Sequence, residues 1–196
     1  MRKIILASQS PRRQELLNNI GVTFEIIKSN FSEDISDTNK SPETIAEELA
    51  YGKAKDVSDK LDSGVILGAD TIVVFEGEIY GKPKDEEDAN RMLNILSGNT
   101  HQVITGVSII DKDNNKTLIG HEVTNVTFNK LTQDEIKEYI KSGDYKGKAG
   151  GYGIQNKGSI LINKIEGCYF NVVGLPINKV YRMLKELNEY VYEFWN

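Results

Sequence analysis

Apolar residues along the chain follow two patterns, continuous runs in some segments and helical recurrence in others. The runs at 3–7 and 65–75 are rich in isoleucine, leucine and valine, and they predict buried strands. Within 86–96 the apolar residues recur at i, i+3, i+4 spacing, which predicts an amphipathic helix with one buried face. That face carries Ala89, Met92, Leu93 and Leu96.

Capping and turn residues set the limits of the other elements. Pro11 suits the first position of a helix that Gly21 ends, and Ser41 opens a second helix. Thr132 and Glu135 have the spacing of a capping box, which predicts another helix start. The predicted helices are 11–20, 41–61, 86–96, 132–141 and 176–190, and the predicted strands are 3–7, 22–28, 65–75, 78–80, 103–110, 118–128, 160–165 and 170–173.

Strands and helices alternate in this scheme, although without the strict strand–helix–strand rhythm of an all-parallel sheet. We therefore expect an α/β fold with a mixed sheet. A length of 196 residues is typical of one domain or of two closely packed lobes, and it is enough to bury a core. The sequence contains no internal repeat and no low-complexity linker.

Composition and charge exclude several classes of protein. The chain has 24 Lys and Arg against 29 Asp and Glu, and this net charge of −5 argues against general binding to nucleic acids or anionic membranes. No stretch approaches the ~20 apolar residues that span a bilayer. Cys168 is the single cysteine, so no internal disulfide can form, and a cytoplasmic location is expected.

Two arginines stand where a helix dipole disfavours positive charge. Arg12 and Arg13 fall in the first turn of the predicted helix 11–20, and that end of a helix favours acids or bound anions. Together with the hydroxyls of Ser8 and Ser10 and the backbone N–H groups, they would form a phosphate clamp. The alternative is a pair of solvated surface arginines.

Two further charges interrupt apolar patterns. Lys53 lies in the middle of an apolar stripe that runs at i, i+4 spacing from Ile45 to Leu61. There it needs a carboxylate or phosphate partner, unless its stem carries the ammonium out to water. Asp70 interrupts the run 65–75, where an unpaired carboxylate would be very costly. It is either a structural salt-bridge partner or a metal ligand or general base.

The segment 146–158 combines glycines and lysines with Gln155. Glycines let the backbone approach a ligand, lysines supply counter-charge, and the Gln155 amide can read a base edge. The segment matches neither a Walker A sequence nor a dinucleotide fingerprint, and a flexible surface loop is the alternative. His101 and His121 are isolated and lack the spacing of zinc ligands. The arginine pair, Lys53, Asp70 and the segment 146–158 together point to a ligand that is a polyphosphate with a base attached.

A series of sequence blocks, collinear over nearly the whole chain, matches one known family. The blocks are Leu6-Ala7-Ser8-Gln9-Ser10-Pro11-Arg12-Arg13 with Glu15-Leu16-Leu17, Lys53-Ala54, Gly68-Ala69-Asp70-Thr71, Gly81-Lys82-Pro83, Ser97 to Val107, Gly147 to Gln155, and Asn171 to Pro176. They resemble the signature blocks of the Maf family of nucleoside triphosphate pyrophosphatases.

The resemblance implies a Maf/Ham1-like (ITPase-like) α/β fold over 1–196 as a single domain. That fold is an elongated, twisted mixed sheet flanked by helices, with a central cleft between two lobes. The implied reaction is hydrolysis of a nucleoside triphosphate to the monophosphate and pyrophosphate, with a divalent metal cation, Mg²⁺ or Mn²⁺. A homodimer is also implied, and we expect no stable binding to nucleic acid.

The resemblance also assigns roles to individual residues. Asp70 would be the proton acceptor and a metal ligand, with Glu33 as the second metal ligand and Asp34 as the alternative to Glu33. In the acidic loop this chain has Phe31-Ser32-Glu33-Asp34, where the family more often has Asp-Glu followed by a small residue. The expected substrate-binding residues are Ser8, Arg12, Arg13, Lys53, Thr71, Lys82 and Gln155.

Three of these residues bear on the choice of substrate. Arg13, Thr71 and Gln155 match the specificity positions of family members that act on dTTP and UTP. Thr71 counts against the branch that acts on methylated GTP. Two alternatives stay open, a pyrophosphatase for modified nucleotides and a septation-related regulator that acts by binding a partner.

Overall fold

The computed structural model describes residues 3–32, 40–189 and 192. Within them, seven strands and six α-helices follow one another along the chain. The strands are β1 (Ile4–Leu6), β2 (Phe24–Ile26), β3 (Val65–Phe75), β4 (Glu78–Tyr80), β5 (Thr100–Asp111), β6 (Lys116–Phe128) and β7 (Ile162–Glu166). The helices are α1 (Pro11–Asn19), α2 (Pro42–Ser58), α3 (Glu86–Leu96), α4 (Gln133–Lys141), α5 (Tyr169–Val173) and α6 (Ile177–Glu186), with short 3-10 helices at Ala149–Gly151 and Asn156–Leu161.

The strands form one mixed sheet. Its order is β2-β1-β3-β5-β6-β7, and β4 pairs with β3 outside this path. Strand β1 runs parallel to both β2 and β3, and its Leu6 lies opposite Leu67. Strand β4 is antiparallel to β3, and β7 is antiparallel to β6. The expected α/β class, a mixed sheet flanked by helices, is therefore confirmed.

The chain divides into two compact units. The first unit comprises 1–70, 105–122 and 174–196, and the second comprises 71–104 and 123–173. The division falls inside β3, β5 and β6, so each of these strands contributes residues to both units.

In the first unit, helix α2 packs directly on the sheet. Its start follows the sequence prediction, because the Ser41 side chain accepts a hydrogen bond from the backbone N–H of Thr44 and Pro42 begins the helix. A Cβ on Gly106 would lie 2.0 Å from the carbonyl oxygen of Ala46. One helical turn further on, a Cβ on Gly68 would lie 2.3 Å from the carbonyl oxygen of Ala50. Glycine at both strand positions therefore lets the helix backbone touch the sheet.

The second unit has its own apolar core, to which α3 and α4 contribute. Asp85 caps α3, and the four residues predicted to face inward on this helix are the ones that are buried. Helix α4 begins at the predicted capping box, in which Thr132 and Glu135 each bond the other's backbone. Phe128, Tyr139, Tyr145 and Tyr152 supply the buried aromatic rings.

The prediction of a strand at 170–173 is wrong, because these residues belong to helix α5. A short apolar run does not distinguish a strand from a buried helical turn. Gly167 and Gly174 flank the segment with φ values of 133° and 126°, which L-residues rarely adopt. Inside the turn, the buried Asn171 side chain donates to the carbonyl of Val103 and to the Thr124 hydroxyl.

The other differences concern the ends of elements. Residues 156–161 form a 3-10 helix, so the strand predicted from 160 begins at Ile162. Helix α2 ends at Ser58, three residues before the predicted end, and position 190 of the last predicted helix lies outside the described residues. None of the described helices has the length and apolarity needed to cross a membrane.

The close contact of α2 with the sheet predicts the effect of one methyl group. Gly106→Ala should lower the free energy of unfolding by ~2 kcal/mol, because the helix must move away from β5 to admit the Cβ. Urea unfolding measures this change. Gly120→Ala in β6 is the control, because its Cβ would meet only the flexible end of Lys179, at 3.1 Å. Equal destabilisation by both substitutions would contradict the interpretation.

Candidate active site

Two predicted site residues of the first unit lie near the paired ends of parallel strands. Leu6 of β1 lies opposite Leu67 of β3, and the backbone N–H of Ala7 donates to the Leu67 carbonyl at 2.8 Å. Ser8 follows two residues after Leu6, and Asp70 lies within β3, three residues after Leu67 and beyond the part of β3 that pairs with β1. Ligand sites in α/β proteins form at the carboxyl ends of such parallel strands.

Arg13 is buried, which excludes the alternative of a solvated surface arginine for this residue. Its Nη1 donates to the Ser8 hydroxyl at 3.1 Å, and its Nε donates to the carbonyl of Gly174 at 2.8 Å. The Ser8 hydroxyl also accepts from the backbone N–H of Ser10 at 3.2 Å. Arg12 is half-buried. The first turn of α1 thus carries two guanidinium groups, one of them fixed against Ser8, as a phosphate clamp requires.

Lys53 and Asp70 form a buried ion pair. The Lys53 ammonium contacts Oδ1 of Asp70, and the two residues are 9% and 6% exposed. The two charged residues that interrupt apolar patterns in the sequence are therefore paired with each other. Such a pair is weak support for a stabilising role, because well-packed apolar residues often replace it without loss of stability. A functional role for the pair remains the hypothesis to test.

In the second unit, the glycine-rich segment lies against the segment that carries Lys82. The backbone N–H of Gly150 donates to the carbonyl of Gly81 at 3.0 Å. Gly150 has a φ of 67°, and a Cβ there would lie 2.9 Å from the Val73 side chain, so glycine is needed at this turn. Lys82 is exposed and Gln155 is half-buried.

A buried aromatic cluster, defined as His101, Phe128 and Tyr152, joins the glycine-rich segment to the sheet through Tyr152. The His101 Nε2 and the Tyr152 hydroxyl form a hydrogen bond of 2.7 Å, and the three rings contact one another edge to face at 4.7–5.3 Å. The pairing of His101 with Tyr152 was not predicted, because His101 stands alone in the sequence. The alternation of buried and exposed positions at the start of β5 could have predicted that His101 is buried, because His101 lies two residues before the inward-facing Val103.

The remaining predicted site residues are placed as follows. Thr71 is half-buried at the start of the second unit's part of β3. Ser8, Arg12, Arg13, Lys53 and Asp70 belong to the first unit, and Thr71, Lys82 and Gln155 belong to the second. The predicted metal ligand Glu33 and its alternative Asp34 lie outside the described residues.

Comparison with known proteins decides the family. The Maf-like protein family matches the chain over residues 3–187. The chain is 54% identical over 189 residues to a dTTP/UTP pyrophosphatase of Ruminiclostridium cellulolyticum, a match that covers 96% of this chain and 98% of that protein. It is also 54% identical to a dTTP/UTP pyrophosphatase of Alkaliphilus oremlandii, over 92% of this chain and 93% of that protein.

The chain belongs to the Maf family. The family expected from the sequence blocks is therefore confirmed, and so is the class of enzyme, a nucleotide pyrophosphatase. Among solved structures, the chain is similar to the Ham1 protein of Staphylococcus aureus, with 19% identity, a TM-score of 0.48, and coverage of 82% of this chain and 80% of that one.

The Maf resemblance implies a divalent metal, and the described residues provide one part of a site for it. No group of three or more His, Cys, Asp or Glu side chains that could hold a metal occurs within 3–32, 40–189 and 192. Asp70 supplies a carboxylate, and Mg²⁺ is usually bound by one or two carboxylates together with substrate phosphates. Asp70 can therefore supply a protein ligand of such a metal site.

The buried ion pair of this Maf protein predicts a large loss of stability when one partner is removed. Lys53→Met should lower the free energy of unfolding by roughly 3 kcal/mol, because the Asp70 carboxylate stays buried after its ammonium partner is gone. Adding Asp70→Asn to Lys53→Met should restore most of the loss. Urea unfolding of the two single variants and of the double variant measures this coupling.

The same helix offers a matched control for this experiment. Lys55 pairs with Asp59 on the exposed side of α2, so Lys55→Met should leave the free energy of unfolding nearly unchanged. A double variant no more stable than Lys53→Met would show that the two charges are not coupled.

The buried histidine predicts how stability depends on pH. Burial lowers the pKa of His101 from 6.5 to about 4. The unfolded chain therefore binds a proton between these two pH values that the folded chain does not, and stability falls as the pH drops through this window. The full loss is about 3 kcal/mol, reached below pH 4.

Urea unfolding from pH 7 to pH 4 measures this effect against His101→Gln, which has no titrating ring. The free energy of unfolding should fall more steeply in the natural sequence than in the variant. Parallel pH dependences would contradict the buried, neutral histidine.

Proposed function

We propose that this Maf-family protein hydrolyses the α–β phosphoanhydride of nucleoside triphosphates and releases the monophosphate and pyrophosphate. The observation that carries the proposal is the buried Lys53–Asp70 pair near the carboxyl end of β1, where Ser8 and Arg13 are also bonded to each other. A carboxylate, an ammonium and a guanidinium together suit attack by water on a phosphoanhydride.

Asp70 is the proton acceptor in this proposal. Its carboxylate would orient a water molecule and take a proton from it as the oxygen attacks the α-phosphorus. The Lys53 ammonium contacts Oδ1 and holds the carboxylate in one orientation. The close packing of α2 on Gly68 fixes the helix from which Lys53 extends.

The other cationic residues bind and neutralise phosphate. The Gly174 carbonyl and the Ser8 hydroxyl hold the Arg13 guanidinium in place, so it is preorganised for a phosphate oxygen. Arg12 and Lys82 would add charge toward the triphosphate and the departing pyrophosphate. Because these interactions grow as charge develops on the leaving group, they favour the transition state over the bound substrate.

A divalent cation, Mg²⁺ or Mn²⁺, belongs to the proposal. Asp70 would hold it, with Glu33 as the second carboxylate and phosphate oxygens of the substrate as further ligands. The cation supplies charge neutralisation on the phosphates when it is bound.

We further propose that dTTP and UTP are the substrates. The relatives that match over nearly the full chain carry these nucleotides in their names. Gln155 has an amide that can both donate and accept, as recognition of a pyrimidine edge requires, and Arg13 and Thr71 complete the residues expected to select the base. A homodimer and a cytoplasmic location stay predictions.

Pyrophosphate release from a panel of nucleotides tests the reaction and its substrate. The panel contains dTTP, UTP, dCTP, GTP, 7-methyl-GTP and other modified nucleotides, each with Mg²⁺ or Mn²⁺. We expect release from dTTP and UTP, and a fall in kcat of roughly 100-fold or more in Asp70→Asn, because the proton acceptor is lost. Asp59→Asn, which removes an exposed carboxylate paired with Lys55, should keep full activity.

The outcomes separate the proposal from its alternatives. Faster release from a modified nucleotide would make the protein a pyrophosphatase for such nucleotides. Activity in Asp70→Asn equal to that of the natural sequence would remove Asp70 as the base. No release from any nucleotide would favour a role in binding a partner.

A further inference from the structure

Gln155 lies in the loop 153–158, which runs into the first residues of the 3-10 helix Asn156–Leu161 and closes on itself through the backbone. A Cβ on Gly158 would lie 1.9 Å from the carbonyl oxygen of Gly153, so the chain returns to backbone contact within these few residues. Gln155 sits between the two glycines. The position of the Gln155 side chain therefore depends on the contacts that hold this loop in place.

Tyr152 immediately precedes this loop, and its side chain is buried in the core. It is 4% exposed and belongs to the apolar cluster of the second unit. Its hydroxyl bonds to Nε2 of His101, and its ring contacts the rings of both His101 and Phe128. His101 begins the buried face of β5, and Phe128 ends β6, so both partners of Tyr152 belong to the sheet.

The His101–Tyr152 bond is a contact between neutral groups. Burial lowers the pKa of His101 to about 4 and raises the pKa of Tyr152 above its ordinary value. Neither group is therefore charged near neutral pH. A hydrogen bond in such a dry environment is stronger than in water, and loss of either partner leaves the other polar atom buried.

We propose that His101 and Tyr152 are positioning residues that anchor the loop 153–158 to the sheet and thereby hold Gln155 for selection of the pyrimidine base. The selection part rests on the proposed function. The anchoring part rests on the hydrogen bond, the ring contacts and the closed loop alone.

Hydrogen exchange tests the anchor without any substrate. Tyr152→Phe keeps the ring and removes the hydroxyl, and it should accelerate amide exchange in peptides that cover 147–158 by about fivefold. Helix α2, which belongs to the first unit, is the internal reference and should not change. Tyr145→Phe is the matched control, since Tyr145 is also buried in the apolar core of the second unit, whereas His101 bonds to Tyr152.

The ratio of kcat/KM for dTTP over dCTP tests the consequence for selection. This ratio does not depend on the fraction of enzyme that is folded, because both substrates meet the same preparation. Tyr152→Phe should lower it by about fivefold, and Gln155→Leu, which removes the reading group itself, by about tenfold or more. His101→Gln places a donor and an acceptor near the position of Nε2, so it should keep the ratio close to that of the natural sequence.

Each outcome decides a separate part of the proposal. Faster exchange with a lowered ratio in Tyr152→Phe, both absent in Tyr145→Phe, would support it. Unchanged exchange in Tyr152→Phe, or equal effects in the two tyrosine variants, would overturn the anchor. A ratio that falls in Gln155→Leu and stays constant in Tyr152→Phe would overturn the link to selection. If no triphosphate is hydrolysed, the proposed function fails, and the exchange result still supports or overturns the anchor.

Discussion

Helix α2 lies on strands β3 and β5 at backbone-contact distance, and the position of Lys53 depends on that closeness. At Gly68 and Gly106 no side chain separates the helix from the sheet, and alanines of the helix lie against both glycines. A larger residue at either glycine would push α2 away from the sheet and move the Lys53 ammonium with it. The Lys53–Asp70 ion pair does not tolerate such a movement, because two buried charges no longer compensate each other when they separate.

Buried polar groups are compensated differently in the two units. In the first unit two charges compensate each other, and the Arg13 guanidinium is satisfied by a hydroxyl and a carbonyl. In the second unit a histidine and a tyrosine stay neutral because burial shifts the pKa of each away from ionisation. The charged arrangement suits the handling of phosphate and protons, whereas the neutral one suits the fixing of a loop.

Several elements could be predicted from local sequence because the signal for each lies within a few residues. The Thr132–Glu135 capping box, the start of α2 after Ser41 and the buried face of α3 all agree with the structure. The strand predicted at 170–173 failed because a short apolar run fits either a strand or a helical turn. Its outcome depends on Asn171, which bonds to residues about fifty to seventy positions earlier in the chain.

The sequence by itself determined the family, the α/β class and the residues where charge conflicts with burial. These conclusions follow from spacing and residue type, which act locally or match the family block by block. Only the tertiary structure decided that Lys53 and Asp70 are each other's partners, that Ser8 orients Arg13, and that His101 meets Tyr152. Pairing of this kind depends on strand order and on the contact of helix with sheet, which bring together residues that are distant in the chain. The local sequence around each residue therefore does not predict its partner.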